Sequence, residues 1–325
     1  MDTTQGTSPG LTGFRAHQAM GQGVEFDTIR MLLSRWGDLA VDIGDDAAVL
    51  PAIGAGQRVV STDACVEDVH FRRAWITPFE VGQRAAAAAL SDLAAMGARA
   101  EGVLVAFVVP PAWYAALADV ADGIGAQVRR AGARIVGGNL SRGQTFVITL
   151  TVIGVADPVV PRAGARVGDL VLVTGALGGP GAALTAWEEG RSPVAWARER
   201  FAAPQPRLAE GQRLAAAGAS AMIDISDGLA ADARHLGAAS GVWLAIDPAR
   251  LPVGPGVEPS SALQSGEEYE LLVTMPPERF AALAPAWNAA GGVPLTPIGT
   301  AVEATGEPVM PAAGHDHFRG VGTRP

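Results

Sequence analysis

The sequence contains no lysine, since all 24 of its Lys and Arg residues are arginine. This absence excludes the lysine of a P-loop, the strand lysine of protein kinases and any Schiff-base chemistry. If the protein handles phosphate groups, we expect it to use metal ions, arginine and backbone amides instead.

Cysteine is nearly absent as well. Cys65 is the single cysteine, which excludes an internal disulfide and a multi-cysteine metal site and predicts a cytoplasmic protein. No stretch is predicted to span a membrane, because the longest uncharged apolar run, residues 102–118, is interrupted by Pro110 and Pro111. Residues 1–22 are polar and have no apolar signal segment, so we expect a loose N-terminal extension.

Positive charge is also in the minority, with 24 basic against 33 acidic residues. The formal net charge is −9, which argues against a nucleic-acid partner and is compatible with binding of divalent cations. The histidines are scattered apart from His315 and His317, so zinc ligation by histidine is disfavoured.

Alternating strand and helix patterns predict a mixed α+β and α/β protein of two domains. Residues 23–156 form the predicted N-terminal domain and residues 157–325 the C-terminal α/β domain, joined at a Pro/Gly-rich segment. Thr77, Pro78 and Glu80 mark the start of a predicted helix, which ends at Gly97. Strands are predicted near 57–62, 102–109, 133–136, 145–155, 170–174, 221–225, 242–246 and 270–275.

Acidic residues recur at the ends of apolar elements or inside them. They are Asp46 in "GDDAAVL", Asp63 in "VVSTD", Asp92 in "AAAAALSDLAAMGA", Asp224 and Asp227 in "IDISDG", and Glu267 and Glu268 in "SGEEYEL". These residues also have ordinary alternatives. Asp46 could form a turn, Asp63 could cap a turn, and Asp227 could cap the N-terminus of the helix that follows it. Asp92 could form an ion pair with Arg84. Their recurrence is better explained by one hard cation with oxygen ligands, and Mg²⁺ is the prediction.

Two glycine-rich segments could contact phosphate. Residues 135–143, "IVGGNLSRG", are predicted to turn sharply after a strand, and residues 173–184, "VTGALGGPGAAL", to run from a strand into a helix N-terminus. A turn or packing role is an equally good interpretation of both segments.

Taken together, the motifs resemble one known family over residues 25–318. They are "EFDTI", "IGDDAAVL", "VSTDACVEDVHF", "ALSDLAAMGA", "GGNLSRG", "PRAGARVGDLVLVTG", "IDISDGLAAD", "SGEEYELL" and "GHDHF". In this order and spacing the sequence resembles the thiamine-monophosphate kinase family, of the superfamily that includes aminoimidazole ribonucleotide synthetase and selenide water dikinase.

The resemblance implies a homodimer in which the N-terminal domains build a shared β-barrel, with ATP and metal ions in clefts between the domains. It implies direct transfer of the ATP γ-phosphoryl group to thiamine monophosphate, giving thiamine diphosphate and ADP without a phospho-enzyme. Several Mg²⁺ ions would assist the transfer, and ATP would be the co-substrate.

The resemblance also implies residue roles. Mg²⁺ would be bound by Asp46, Ser61, Thr62, Asp63, Asp92, Asn139, Asp224 and Asp227. ATP would contact Gly138, Asn139, Arg162 and Ser226. Thiamine monophosphate would contact His70, Glu267 and His315. Asp45 is expected to shape the turn beside Asp46.

Two positions depart from the family pattern. Asn139 stands where the family usually has a metal-binding aspartate, and His315 where it often has a tyrosine. These departures support an alternative hypothesis, a catalytically silent paralogue that binds nucleotide or thiamine phosphate as a sensor.

Overall fold

A computed structural model describes Arg30, residues 45–50 and residues 56–305. The predicted extension 1–22 and His315 lie outside the described residues. Two five-stranded sheets organise the described chain, so the predicted mixed two-domain fold class is confirmed. The domain boundary between residues 156 and 157 stays a prediction.

The first sheet has the strand order β1-β2-β5-β3-β4. All pairs are antiparallel except the parallel pair β3–β4. In β5 buried residues alternate with partly exposed ones, which places one face of the sheet in the core. The strands are β1 (Ala48–Leu50), β2 (Gln57–Val66), β3 (Arg99–Val109), β4 (Arg134–Arg142) and β5 (Val147–Ala156).

Helix α1 (Pro78–Ala95) begins as predicted, with a capping box between Thr77 and Glu80 and with Pro78 in the first turn. Most of its residues are buried, because it packs against the first sheet on one side and against helix α2 (Leu117–Arg130) on another. A 3-10 helix, Pro111–Ala116, precedes α2. A Cβ on Gly82 would collide with the carbonyl oxygen of Val120, so glycine permits this close helix crossing.

The second sheet has the order β7-β9-β6-β10-β8, and all of its pairs are antiparallel. Its strands are β6 (Leu170–Thr174), β7 (Ala221–Asp224), β8 (Val242–Ile246), β9 (Leu271–Met275) and β10 (Leu295–Glu303). The helices of this half are α3 (Gly179–Glu188), α4 (Ala195–Ala202), α5 (Leu208–Ala217), α6 (Leu229–Ser240), α7 (Pro259–Ala262) and α8 (Pro277–Ala289), with a 3-10 helix at Pro248–Arg250.

Helix α1 lies between the two halves of the protein. Its Leu90 and Leu93 belong to the core of the first sheet, whereas Ala94 and Ala95 pack with Met222 and other residues of the second. Side chains on α1 can therefore meet residues from both sheets. None of the helices in the described ranges is long and apolar enough to cross a membrane.

Candidate active site

Three aspartates from three separate elements converge where the two sheets meet. Asp46 precedes β1, Asp92 lies on α1, and Asp224 ends β7. One carboxylate oxygen from each lies within 4.8 Å of the others. These residues were predicted as metal ligands from sequence; the structure brings them together, and their role as ligands stays a prediction.

Burial and mutual repulsion disfavour the charged forms of two carboxyls in this cluster. Burial, and next the charge of Asp46, raise the pKa of Asp224 to about 8. Burial and the charges of Asp224, Asp63 and Asp46 raise the pKa of Asp92 well above its usual value. A divalent cation bound to oxygen ligands would relieve this repulsion, so the residues present fit Mg²⁺.

Strand β2 presents its polar residues on both faces. The Ser61 hydroxyl donates to Asp92 Oδ2 at 2.5 Å, and Asp63, two residues on, lies on the same face. The Thr62 hydroxyl instead donates to the Leu150 carbonyl at 3.3 Å and lies 3.1 Å from the Thr151 hydroxyl, on the opposite face. The structure thus directs the Thr62 hydroxyl away from the carboxylate cluster.

The Asp45–Asp46 turn is tied to Arg162. The Arg162 guanidinium donates to both Asp46 oxygens, and the Asp45 carboxylate accepts the backbone amides of Asp46 and Arg162 at 3.2 and 3.0 Å. Asp45 therefore shapes the turn, as expected. Arg162, predicted to contact the nucleotide, lies directly beside the carboxylate cluster.

The loop after β7 is organised by a residue that the sequence interpretation missed. Asp232 Oδ2 accepts the backbone amides of Ser226, Asp227 and Gly228 at 3.1, 3.2 and 3.1 Å. Asp227, Asp232 and His235 also bring ligand atoms within 4.8 Å of one another. A carboxylate in the first turn of the helix that follows "DISDG" was the available signal, because such side chains bond to free amides there.

A cavity of about 560 Å³ joins the acidic residues to the predicted acceptor residues. Asp63, Asp92, Asp224, Ser226 and Asp227 line it together with His70 and Glu267. The structure thus gathers ligand candidates and acceptor candidates, which are far apart in sequence, around one space.

The alternative pairing of Asp92 with Arg84 is wrong. Arg84 forms an ion pair with Glu267, and Asp92 accepts from Ser61 instead. Arg84 was not predicted as a site residue, and its partner could not be identified because the two lie in distant parts of the sequence.

Gly138 and Asn139 lie apart from the cavity within one chain. The sharp turn predicted for residues 135–143 is wrong, since the glycines lie inside β4, where a Cβ on Gly138 would collide with the Val105 carbonyl. Asn139 is aligned through Ala106 and Thr149 with Ala64 of β2. Three strand spacings, about 14 Å along the sheet, therefore separate Asn139 from the neighbourhood of Asp63.

Residues 173–184, the second glycine-rich segment, make packing contacts through two backbone amides. The amides of Gly178 and Gly181, at the start of α3, donate to Glu268 Oε1 at 2.6 Å and to the Ser265 hydroxyl at 3.0 Å. These two amides hold the "SGEEYEL" loop, and Gly181 also lines the cavity. Cys65 is buried as well, and this burial raises the pKa of its thiol to about 12.

Comparison with known proteins places this site in a defined class. Family models described as AIR synthase related protein, N-terminal domain and C-terminal domain, match residues 44–156 and 166–310. The chain is therefore an AIR synthase related protein.

Among sequence relatives, thiamine-monophosphate kinase of Halobacterium salinarum is 36% identical over 259 residues, which are 78% of this chain and 86% of the relative. The Bacillus subtilis protein of the same name is 31% identical and covers 91% of this chain and 99% of its own length. The thiamine-monophosphate kinase of Mycobacterium tuberculosis is 44% identical over 211 residues, which are 64% of this chain and 63% of the relative. The chain belongs to the thiamine-monophosphate kinase family.

Solved structures agree with this placement. AaThiL complexed with AMPPCP and TMP matches with a TM-score of 0.80 and 30% identity, over 90% of this chain and 97% of that one. The thiamine-monophosphate kinase of Stenotrophomonas maltophilia matches with a TM-score of 0.72 and 31% identity, over 87% of this chain and 95% of that one.

Proposed function

We propose that the protein is a Mg²⁺-dependent kinase that transfers the ATP γ-phosphoryl group to thiamine monophosphate, giving thiamine diphosphate and ADP. The observation that carries this proposal is the single cavity lined by four aspartates and by His70 and Glu267. The complex of the relative AaThiL with AMPPCP and TMP supports the choice of nucleotide and acceptor.

Asp46, Ser61, Asp63, Asp92, Asp224 and Asp227 would hold the metal ions. When bound, Mg²⁺ would neutralise the phosphates of the two anionic reactants and favour their approach. The chain's own part is to fix these ligands: Asp232 orders the Ser226–Gly228 backbone, and Asp45 orders the turn of Asp46.

His70 and Glu267, which line the same cavity, would contact thiamine monophosphate. The acceptor phosphate is already ionised near neutral pH, so the transfer needs positioning and charge neutralisation and no strong general base. A chain without lysine can supply both, with carboxylates for the metal and with Arg162 for a phosphate group.

We further propose a homodimer formed through β4. Every residue of this outer strand is exposed, including the apolar Ile135, Val136 and Leu140. An exposed apolar edge strand is a template for pairing with a second chain. A partner at this edge would also cover Gly138 and Asn139, which are predicted to contact ATP. The cytoplasmic location expected from the sequence stays a prediction.

The test is ADP release from ATP and Mg²⁺ with thiamine monophosphate, with thiamine, or with no acceptor. We expect turnover only with thiamine monophosphate, and a fall of about 100-fold or more in Asp63→Asn. Asp122→Asn on the exposed face of α2 is the matched control and should retain wild-type turnover. Absence of turnover in a wild-type protein that still binds the nucleotide would overturn the proposal.

The silent-paralogue alternative rests on Asn139 and His315, and no feature of the described residues favours it. The Asn139→Asp variant distinguishes the active kinase from the silent paralogue. If the wild type is active, the variant should alter turnover only modestly, whereas the alternative predicts an inactive wild type that Asn139→Asp activates.

A further inference from the structure

Arg84 is a charged residue with only 1% of its side chain exposed. It lies on α1, about two helical turns before Asp92. Burying a guanidinium is costly unless its charge is paired and its N–H groups are bonded, so its partners identify what its position accomplishes.

Those partners come from three separate segments. Nε donates to the His70 carbonyl at 3.2 Å, Nη1 donates to the Phe201 carbonyl at 2.7 Å, and Nη2 pairs with the Glu267 carboxylate. The guanidinium also lies 3.8 Å from the centre of the Phe201 ring, close enough for a cation–π contact. One side chain thus connects the segment after β2, helix α4 and the loop before β9.

Two of these partners, His70 and Glu267, line the cavity and are the described residues predicted to contact the acceptor. Glu267 has a left-handed backbone with φ of 61°, an unfavourable conformation for a non-glycine residue. Its amide donates to the Ser226 carbonyl at 2.6 Å, so its backbone is held by the metal-site loop and its carboxylate by Arg84. The direction of the Glu267 side chain therefore depends on Arg84.

We propose that Arg84 is a positioning residue for the two residues predicted to contact the acceptor: it fixes the Glu267 carboxylate and the His70 backbone, and so acts on acceptor binding without contacting the acceptor. This inference rests on the proposed function. A mere structural tie between segments would affect both substrates or neither, whereas a positioning role affects the acceptor selectively.

The chemistry of the group supports this role. A planar guanidinium donates in three fixed directions and stacks on an aromatic ring, which a lysine ammonium cannot reproduce. The ion pair also cancels the charge of Glu267, so this carboxylate adds little repulsion toward an anionic phosphate on the acceptor side.

The test compares Arg84→Lys with Arg207→Lys. Arg207 is the control because it forms an ion pair with Glu270 in which the arginine side chain is 12% exposed and that of Glu270 is fully buried, and neither Arg207 nor Glu270 is among the described residues that line the cavity. In Arg84→Lys we expect KM for thiamine monophosphate to rise about tenfold or more, with KM for ATP within about twofold and kcat within about threefold. In Arg207→Lys both KM values should stay within about twofold of the wild type.

A folded Arg84→Lys whose two KM values rise together, or whose acceptor KM stays unchanged, would overturn the inference. Wild-type turnover is the reference, so a wild type inactive with thiamine monophosphate would instead contradict the proposed function. If circular dichroism shows that Arg84→Lys does not fold, Phe201→Leu replaces it, because this change removes the ring beneath the Arg84 guanidinium and Phe201 is not among the described residues that line the cavity. A rise in acceptor KM alone then supports the inference, and an unchanged acceptor KM, or a rise in both KM values, overturns it.

Discussion

Arg162 and Asp46 form a two-point ion pair in which Nε donates to Oδ2 and Nη2 to Oδ1, each at 2.8 Å. The Asp46 side chain is fully buried and that of Arg162 is 20% exposed. Parallel N–H bonds of this kind are strong and directional. Arg162 is therefore the cation that directly contacts the Asp46 carboxylate beside Asp92 and Asp224.

Removing this cation should destabilise the metal-free protein. In Arg162→Gln the buried Asp46 carboxylate loses its partner, and we expect a loss of about 3 kcal/mol in the free energy of unfolding. Added Mg²⁺ should restore part of this stability, because it can replace the missing positive charge. Thermal melts in EDTA and in Mg²⁺ measure both effects.

The matched control for this prediction is Arg191→Gln. Arg191 pairs with Glu189 on the surface, where both side chains are more than half exposed. Such a pair contributes about 0–1 kcal/mol, so this variant should melt close to the wild type. Equal melting temperatures for Arg162→Gln and the wild type in EDTA would contradict the assigned role of Arg162.

Asp92→Asn should separate stability from activity. The amide oxygen can still accept from Ser61, while the change removes a carboxylate whose pKa burial raises well above its usual value. The metal-free variant should therefore melt at or above the wild-type temperature, yet turnover should fall about 100-fold or more because a metal ligand is weakened. A variant that loses stability in EDTA, or keeps wild-type turnover, would show that Asp92 is a structural residue.

Glu268 should make stability depend on pH. Burial raises the pKa of this carboxyl from 4.5 to about 8. Between these values the folded protein holds a proton that the unfolded chain has lost, so stability falls as pH rises through this window, by up to about 1.4 kcal/mol per pH unit.

Glu268→Gln removes this titration while keeping an oxygen for Gly178 and Ser265. Melting temperatures of the wild type and the variant, measured from pH 5 to pH 9, should diverge with rising pH, with the variant becoming relatively more stable. Parallel curves would mean that Glu268 does not titrate in this range.

The success of the sequence interpretation followed from local signals. The capping box at Thr77 and the aspartates at the ends of apolar elements or inside them are short-range patterns, and they indicated α1 and the three residues of the cluster. Strand β10 was missed because Pro297 and Gly299 interrupt its pattern; the register with β6 shifts between these same residues. The Arg84–Glu267 pair was missed for a different reason: it depends on how α1 meets the loop before β9, which no local pattern encodes.

The proposed dimer gives the last prediction. Leu140 on β4 is 65% exposed, and Leu140→Arg would place a charge in the proposed interface between two chains. Burying an unpaired charge is costly, so we expect the variant to be monomeric by light scattering at concentrations where the wild type is dimeric. Val167→Arg is the matched control, because Val167 is 58% exposed on the C-terminal half, and the oligomeric state of this variant should not change.

Since a partner at β4 would cover Gly138 and Asn139, KM for ATP should rise in Leu140→Arg and stay constant in Val167→Arg. A Leu140→Arg protein that remains dimeric would show that another surface joins the chains.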